Sequence, residues 1–357
     1  MRYQAIISPE TQFYQHPQPL TLELGGTLTG VQVAYRTWGQ LNPSGDNGVL
    51  VCHAFTGSAD VEQWWEPLLG PGRCLDPTQD FIICSNILGS CYGTTGPTSI
   101  NPLTQTPYGP EFPAITIRDM VHLQAELLKA LGVKQLRLAI GGSLGGMQVL
   151  EWAVLYPEMV RAIVPIAVSG QHSAWCIGLH EAQRQAIYAD PHWQNGYYTQ
   201  TPARGLAVAR MIAMNTYRSW DSFQMRYGRT FQANDFRIAN YLNYQGEKFV
   251  ERFDANCYVT LTQAMDRHDL TRADKSYPQV LQSISQPTLV IGIDTDILYP
   301  PSEQEELAEL IPNAQLTWLN SPHGHDAFLI NMTELNQSVL EFRQRQSDLF
   351  TPTLAWH

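Results

Sequence analysis

The chain has 357 residues, 44% of them hydrophobic, which is enough for one large α/β domain carrying an insertion, or for two domains. A net charge of −11 argues against general nucleic-acid binding, which needs a basic face, but leaves room for a local basic pocket for an anionic cofactor. Six cysteines with neither a C-x-x-C pair nor zinc spacing make no disulfide framework and point to buried free thiols in a reducing compartment.

Residues 1–18 are polar and proline-containing, without the charged start and apolar centre of a secretory signal. No run reaches the ~18 apolar residues of a membrane-spanning helix. A soluble, cytoplasmic protein without a membrane partner is expected.

Residues 49–52 form a short β-rich apolar run, followed by the loop His53-Ala54-Phe55-Thr56-Gly57. A similar run covers 81–84. Ile117, Met120, Val121, Leu127, Leu128 and Leu131 then share one helical face. Thr116 with Asp119 offers a capping start to that helix, and Gly132 offers a stop. Strands are expected again at 136–140, 162–167 and 288–291, because continuous apolar runs suit strands covered on both faces. Helical patterns follow at 147–156, 303–310 and 327–342. Strands alternating with helices predict a mostly parallel, doubly wound sheet.

That alternation breaks at 170–285, where aromatic residues, Met, Gln and Arg fill helical patterns at 179–190, 205–217 and 259–266. The expected organisation is a core made of 1–169 and 286–357, with 170–285 inserted as a helical lid. Such insertions sit over strand C-termini, where α/β sheets place their ligands.

Gly141-Gly142-Ser143-Leu144-Gly145-Gly146 joins the 136–140 strand to the 147–156 helix. A serine on a tight strand-to-helix turn with small flanks stands exposed as a nucleophile. A serine hydroxyl needs a general base, and the base needs an orienting acid. In α/β hydrolases the chain order is Ser, acid, His. Asp294 and Asp296 follow the 288–291 strand and compete for the acid role. His323 and His325 near the C-terminus compete for the base. A zinc site from these histidines is disfavoured by their spacing and the lack of a third ligand, and no metal is expected. The backbone N–H of Leu144 suits one oxyanion donor. The Phe55 N–H suits the second, with Thr56 next. His53 reads as a structural member of its loop.

The sequence closely resembles the homoserine O-acetyltransferases of methionine biosynthesis, members of the α/β-hydrolase superfamily. The resemblance rests on His53 to Gly57, Gly93-Thr94-Thr95-Gly96-Pro97 with Asn101-Pro102, and Thr116-Ile117-Arg118-Asp119. It continues in Gly141 to Gln148 with Glu151-Trp152, Tyr244-Gln245-Gly246, Arg252-Phe253-Asp254-Ala255-Asn256 and Gly324-His325-Asp326-Ala327-Phe328. It implies an α/β-hydrolase fold and a ping-pong reaction in which Ser143 takes an acetyl group from acetyl-CoA and passes it to L-homoserine. It implies Asp296 as the acid, from Thr295-Asp296, and His325 as the base, from Gly-His-Asp. It further implies Arg210 on the substrate carboxylate (with Arg218 as competitor), Tyr217 nearby, and Asp326 near the substrate ammonium. No permanently bound cofactor and a homodimer are expected. Many members carry Leu at Phe55, Ser at Thr295 and Met at Leu144. L-Serine as acceptor, succinyl-CoA as donor, and an esterase or thioesterase remain the alternatives.

Overall fold

The computed structural model describes residues 7–232 and 234–346. The outer ends of the expected core, 1–6 and 347–357, lie outside the described residues. Eight strands form one sheet: β1 (Gln12–Gln15), β2 (Gln32–Trp38), β3 (Gly48–Cys52), β4 (Phe81–Ser85), β5 (Leu136–Gly142), β6 (Ile163–Ile166), β7 (Thr288–Ile293) and β8 (Ala314–Leu319). Their order is β1-β2-β4-β3-β5-β6-β7-β8. β1–β2 and β2–β4 pair antiparallel, and every other pair is parallel. The chain thus has the mostly parallel α/β-hydrolase sheet.

Parallel strands covered on both faces need apolar side chains on both, and the register shows this. Leu50 and Cys52 of β3 face one core, Val49 and Val51 the other. The first core is closed by α1 (Ile117–Ala130) and α2 (Leu144–Leu155). α1 starts at a Thr116–Asp119 capping box and stops before Gly132, whose φ of +81° favours glycine.

Between β6 and β7 run α3 (Ala174–Tyr188), α4 (Ala203–Tyr217), α5 (Trp220–Arg226), α6 (Arg237–Val250), α7 (Ala255–Asp266) and α8 (Tyr277–Gln282). After β7 come α9 (Pro301–Leu310) and α10 (Met332–Arg345), the latter packing Leu335, Val339 and Phe342 on the second core. Two expectations are corrected here. The helix expected at 327–342 is two elements, a 3₁₀ segment Gly324–Leu329 and α10, because the tighter coil ends at Leu329 and a new helix starts at Met332 with Asn331 as its N-cap. The helix expected from 179 starts at Ala174, because the Ser173 side chain caps the Cys176 N–H. Among the described residues no helix is long and apolar enough to cross a membrane. All six cysteines are buried and free.

Candidate active site

The turn after β5 brings the chain back on itself within one residue. Ser143 sits at φ 57°, ψ −124°, a strained conformation for a residue with a Cβ. Its flanks explain the glycines. A Cβ at Gly145 would lie 2.1 Å from the Cys52 carbonyl oxygen, and one at Gly141 would lie 2.6 Å from the same atom. The end of β3 therefore presses directly on the elbow. The Ser143 N–H is anchored on Ile166 O at 2.9 Å, while its hydroxyl forms no hydrogen bond with another described residue.

Leu144 opens α2, so its N–H belongs to the unpaired donors of a helix start. Phe55 lies in a turn closed by Gly57 N–H to Ala54 O at 2.9 Å. Its ring packs on Tyr258 at 4.8 Å and Phe253 at 6.2 Å. Arg252 steadies the same loop, donating to Thr56 O at 2.9 Å and to the Tyr92 hydroxyl at 2.6 Å. This role was not read from the sequence, where Arg252 stood only within a motif. His53 bonds to Ala54 O through Nδ1 at 2.8 Å and accepts the Ile87 N–H at Nε2. Burial pushes its pKa down to about 4, so it stays neutral within the loop.

The structure brings Asp296 and His325 together. His325 Nδ1 lies 2.7 Å from Asp296 Oδ2, and both side chains are almost fully buried. Asp296 Oδ1 accepts the N–H groups of Leu298 (2.8 Å) and Tyr299 (3.0 Å). With Nδ1 donating to the carboxylate, Nε2 is left as the acceptor. Burial alone would depress the imidazole's pKa. The charge and hydrogen bond of Asp296, with Asp326 adding to them, outweigh it and hold the pKa above its ordinary value. Asp294 and His323 face elsewhere. Asp294 Oδ1 accepts the Ser321 N–H at 2.9 Å, and His323 Nδ1 meets the Ser222 hydroxyl of α5 at 3.3 Å. The His325 ring is walled by Tyr299 (5.4 Å), Phe328 (5.6 Å) and Tyr217 (5.9 Å). Phe328 also lies against the elbow, since a Cβ at Gly142 would touch its ring at 2.7 Å.

The helical segment between β6 and β7 supplies the cations. Arg218 pairs with Asp326 at 3.1 Å. Burial raises the Asp326 carboxyl's pKa, and the charges of Arg218, His325 and Arg210 only partly offset that. Arg210 has no ion pair among the described residues. Its guanidinium lies over Phe249 (5.0 Å) and Tyr217 (5.3 Å). Of the two competing arginines, Arg210 is thus the one left to take a carboxylate, and bidentate pairing suits it.

His172, His180 and Asp266 could together ligate a metal. Arg184 Nη1 already sits 2.7 Å from Asp266 Oδ2, where it supplies the positive charge. A cavity of about 560 Å³ lies beside Tyr108, Glu111, Tyr197 and Asp254, and none of Ser143, Asp296 and His325 lines it.

A family profile for the alpha/beta hydrolase fold matches residues 47–331. The chain is 66% identical over 351 residues to a homoserine O-acetyltransferase of Trichormus variabilis, covering 97% of this chain and 98% of the relative. Its structure is similar to that of a homoserine O-acetyltransferase from Bacillus anthracis, with TM-score 0.87, 27% identity and coverage of 93% and 96%. It is also similar to esterase E22, with TM-score 0.85, 30% identity and coverage of 93% and 99%.

Proposed function

The chain belongs to the homoserine O-acetyltransferases of the α/β-hydrolase fold, and on that premise we propose how its own residues move an acetyl group from acetyl-CoA to the side-chain hydroxyl of L-homoserine. Ser143 Oγ attacks the thioester carbonyl and gives its proton to His325 Nε2. The N–H groups of Leu144 and Phe55 stabilise the oxyanion. The carbon–sulfur bond breaks, and the leaving CoA sulfur takes the proton from His325. The acetyl group is then an ester on Ser143. The homoserine hydroxyl next gives its proton to Nε2 and attacks that ester. Collapse returns the proton to Ser143 and frees O-acetylhomoserine. Asp296 keeps the imidazole in the tautomer this shuttle needs. Arg210 binds the amino acid's carboxylate beside Tyr217, and Asp326, held by Arg218, faces its ammonium.

The observation that carries this reading is the buried 2.7 Å contact between His325 and Asp296, with Phe328 packed on both the His325 ring and the strained elbow of Ser143 at Gly142. An esterase uses the same three residues, and the likeness to esterase E22 keeps that reading in play. Release of CoA from acetyl-CoA separates the two. A transferase releases CoA faster when homoserine is added, whereas an esterase is indifferent to it. Rates with homoserine and serine, each with acetyl-CoA and succinyl-CoA, define the substrate pair, because one methylene is worth only about 1–3 kcal/mol in a pocket.

The reaction as proposed needs no permanently bound cofactor and no metal. Six unpaired thiols suit a cytoplasmic setting. We also place a second copy of the chain on the exposed α4–α6 face around Val208 and Tyr244. A mass near 80 kDa in solution, twice the 40.2 kDa of one chain, is the expected result.

A further inference from the structure

One stretch of the lid reverses the charge of the molecule. Between Arg204 and Arg237 the chain carries six arginines and two aspartates, net +4 in a protein of net −11. Two of these arginines meet residues of the candidate site. Arg210 lies over Tyr217, and Arg218 holds Asp326. Arg226, Arg229 and Arg237 are exposed and have no ion pair among the described residues.

Each of the outer three rests on an aromatic face. Arg226 lies over Tyr227 at 5.6 Å and Tyr241 at 5.7 Å, Arg237 over Tyr227 at 6.0 Å, and Arg229 over Phe236 at 5.4 Å. A guanidinium stacked by its face keeps its edge N–H groups for planar oxyanions. The Arg237 N–H bonds Thr230 O at 2.9 Å and closes a short hairpin, Phe231–Gln232 against Asp235–Phe236, with Arg229 and Arg237 flanking it and Arg226 at the end of α5 just before it. On that hairpin Phe231 is 64% exposed and stands edge-on to Phe236 at 5.5 Å, leaving a ring face open. Guanidinium groups beside an open aromatic ring match a phosphorylated nucleotide, whose base stacks while its phosphates pair.

The length of α5 is comparable with the arm of the donor. α5 starts on the loop that carries His325. There the Ser219 hydroxyl bonds Pro322 O and Ser222 meets His323. The helix runs from Trp220 to Arg226, about 10 Å at 1.5 Å per residue. The arm joining the thioester of acetyl-CoA to its diphosphate is roughly as long as four extended residues, about 14 Å.

We propose that Arg226, Arg229 and Arg237 hold the phosphates of the acyl donor's nucleotide, with its base stacked on Phe231. This inference rests on acetyl-CoA being the donor. It gives an acidic enzyme a local field that draws in an anionic substrate.

The test replaces each arginine by serine, singly and together, and compares three donors. These are acetyl-CoA, acetyl-pantetheine, which lacks the nucleotide, and p-nitrophenyl acetate. The expected result is a KM for acetyl-CoA raised about tenfold per arginine removed, with kcat and both other donors unaffected. Added salt raises the KM of the wild type but not that of the triple variant. An unchanged KM for acetyl-CoA in the triple variant overturns the proposal. Equal losses with all three donors, or a change in oligomeric state alone, overturn it too and make the hairpin a packing element or a contact between copies. If the wild type forms acetyl-enzyme from p-nitrophenyl acetate but never from acetyl-CoA, the donor reading falls first and this inference with it.

Discussion

Asp296→Asn tests the site at its most constrained atom. Asn would present one oxygen and one NH2 where the carboxylate presents two acceptors. The side chain's orientation is dictated by the backbone. Leu298 and Tyr299 both aim N–H groups at the Oδ1 position, at 2.8 and 3.0 Å. Turning the amide NH2 toward them would leave two buried donors unpaired, at about 1–3 kcal/mol each. The oxygen therefore stays with the backbone, and the NH2 faces His325 Nδ1. That nitrogen must then accept, which moves the imidazole proton to Nε2, where Ser143 needs an acceptor. The expected loss in the rate of enzyme acetylation is about 10³–10⁴-fold, equivalent to roughly 4–5.5 kcal/mol. Stopped-flow release of p-nitrophenolate from p-nitrophenyl acetate measures this step directly. The pH profile adds a second reading. In the wild type the neutral imidazole is the active form and its pKa lies above the ordinary 6.5, so the rate rises with pH through a midpoint above that value. In the Asn variant the opposing charge is gone and burial dominates, so the residual activity has its midpoint below 6.5. A loss under tenfold, or an equal loss in Asp294→Asn, would refute the reasoning.

Ser143→Ala should form no acetyl adduct in intact-protein mass spectrometry after incubation with acetyl-CoA, and an adduct on the mutant would remove Ser143 from the reaction. Arg210→Ala should raise the KM for homoserine by about 30–100-fold while leaving acetylation by the donor intact, because a charge-assisted pair to the carboxylate is worth about 2–3 kcal/mol. A matching loss in the donor half-reaction would make Arg210 a packing residue of the Phe249–Tyr217 layer. Gly145→Ala would place a methyl 2.1 Å from the Cys52 carbonyl. Its melting temperature should fall by about 5–10 °C, with activity lost. Gly178→Ala, an open helical position, should instead hold or raise it by a degree or two, as circular dichroism melts would show.

The five central strands were legible in the sequence because each is mostly apolar, with Arg137 near the start of β5 the one charged residue among them, the form a doubly covered strand must take. β2 was not, because Arg36 interrupts it. That arginine is buried against Asp60 at 2.5 Å and Glu62 at 2.7 Å, partners more than twenty residues away. β8 escaped notice because it is a half-exposed edge strand with mixed residues, Ala314 to Leu319. The elbow was legible because the glycines around Ser143 are dictated by local geometry. The choice between Asp294 and Asp296 was not, since two residues on one turn point apart according to hydrogen bonds that only the folded loop supplies. Family resemblance favoured Asp296, and the structure sets that residue against His325. The same holds for Arg210 and Arg218. Arg210 lies midway along α4 and Arg218 just past its end, and only the fold shows that Asp326 engages the second.

The seating of α5 on the His323–Gly324 turn couples that helix to the loop of the base. A Cβ at Gly324 would already collide with the Ser219 nitrogen at 2.6 Å, so the start of α5 and the turn bearing the base share one fastening with no slack. Shifting α5 would disturb the turn that presents the imidazole.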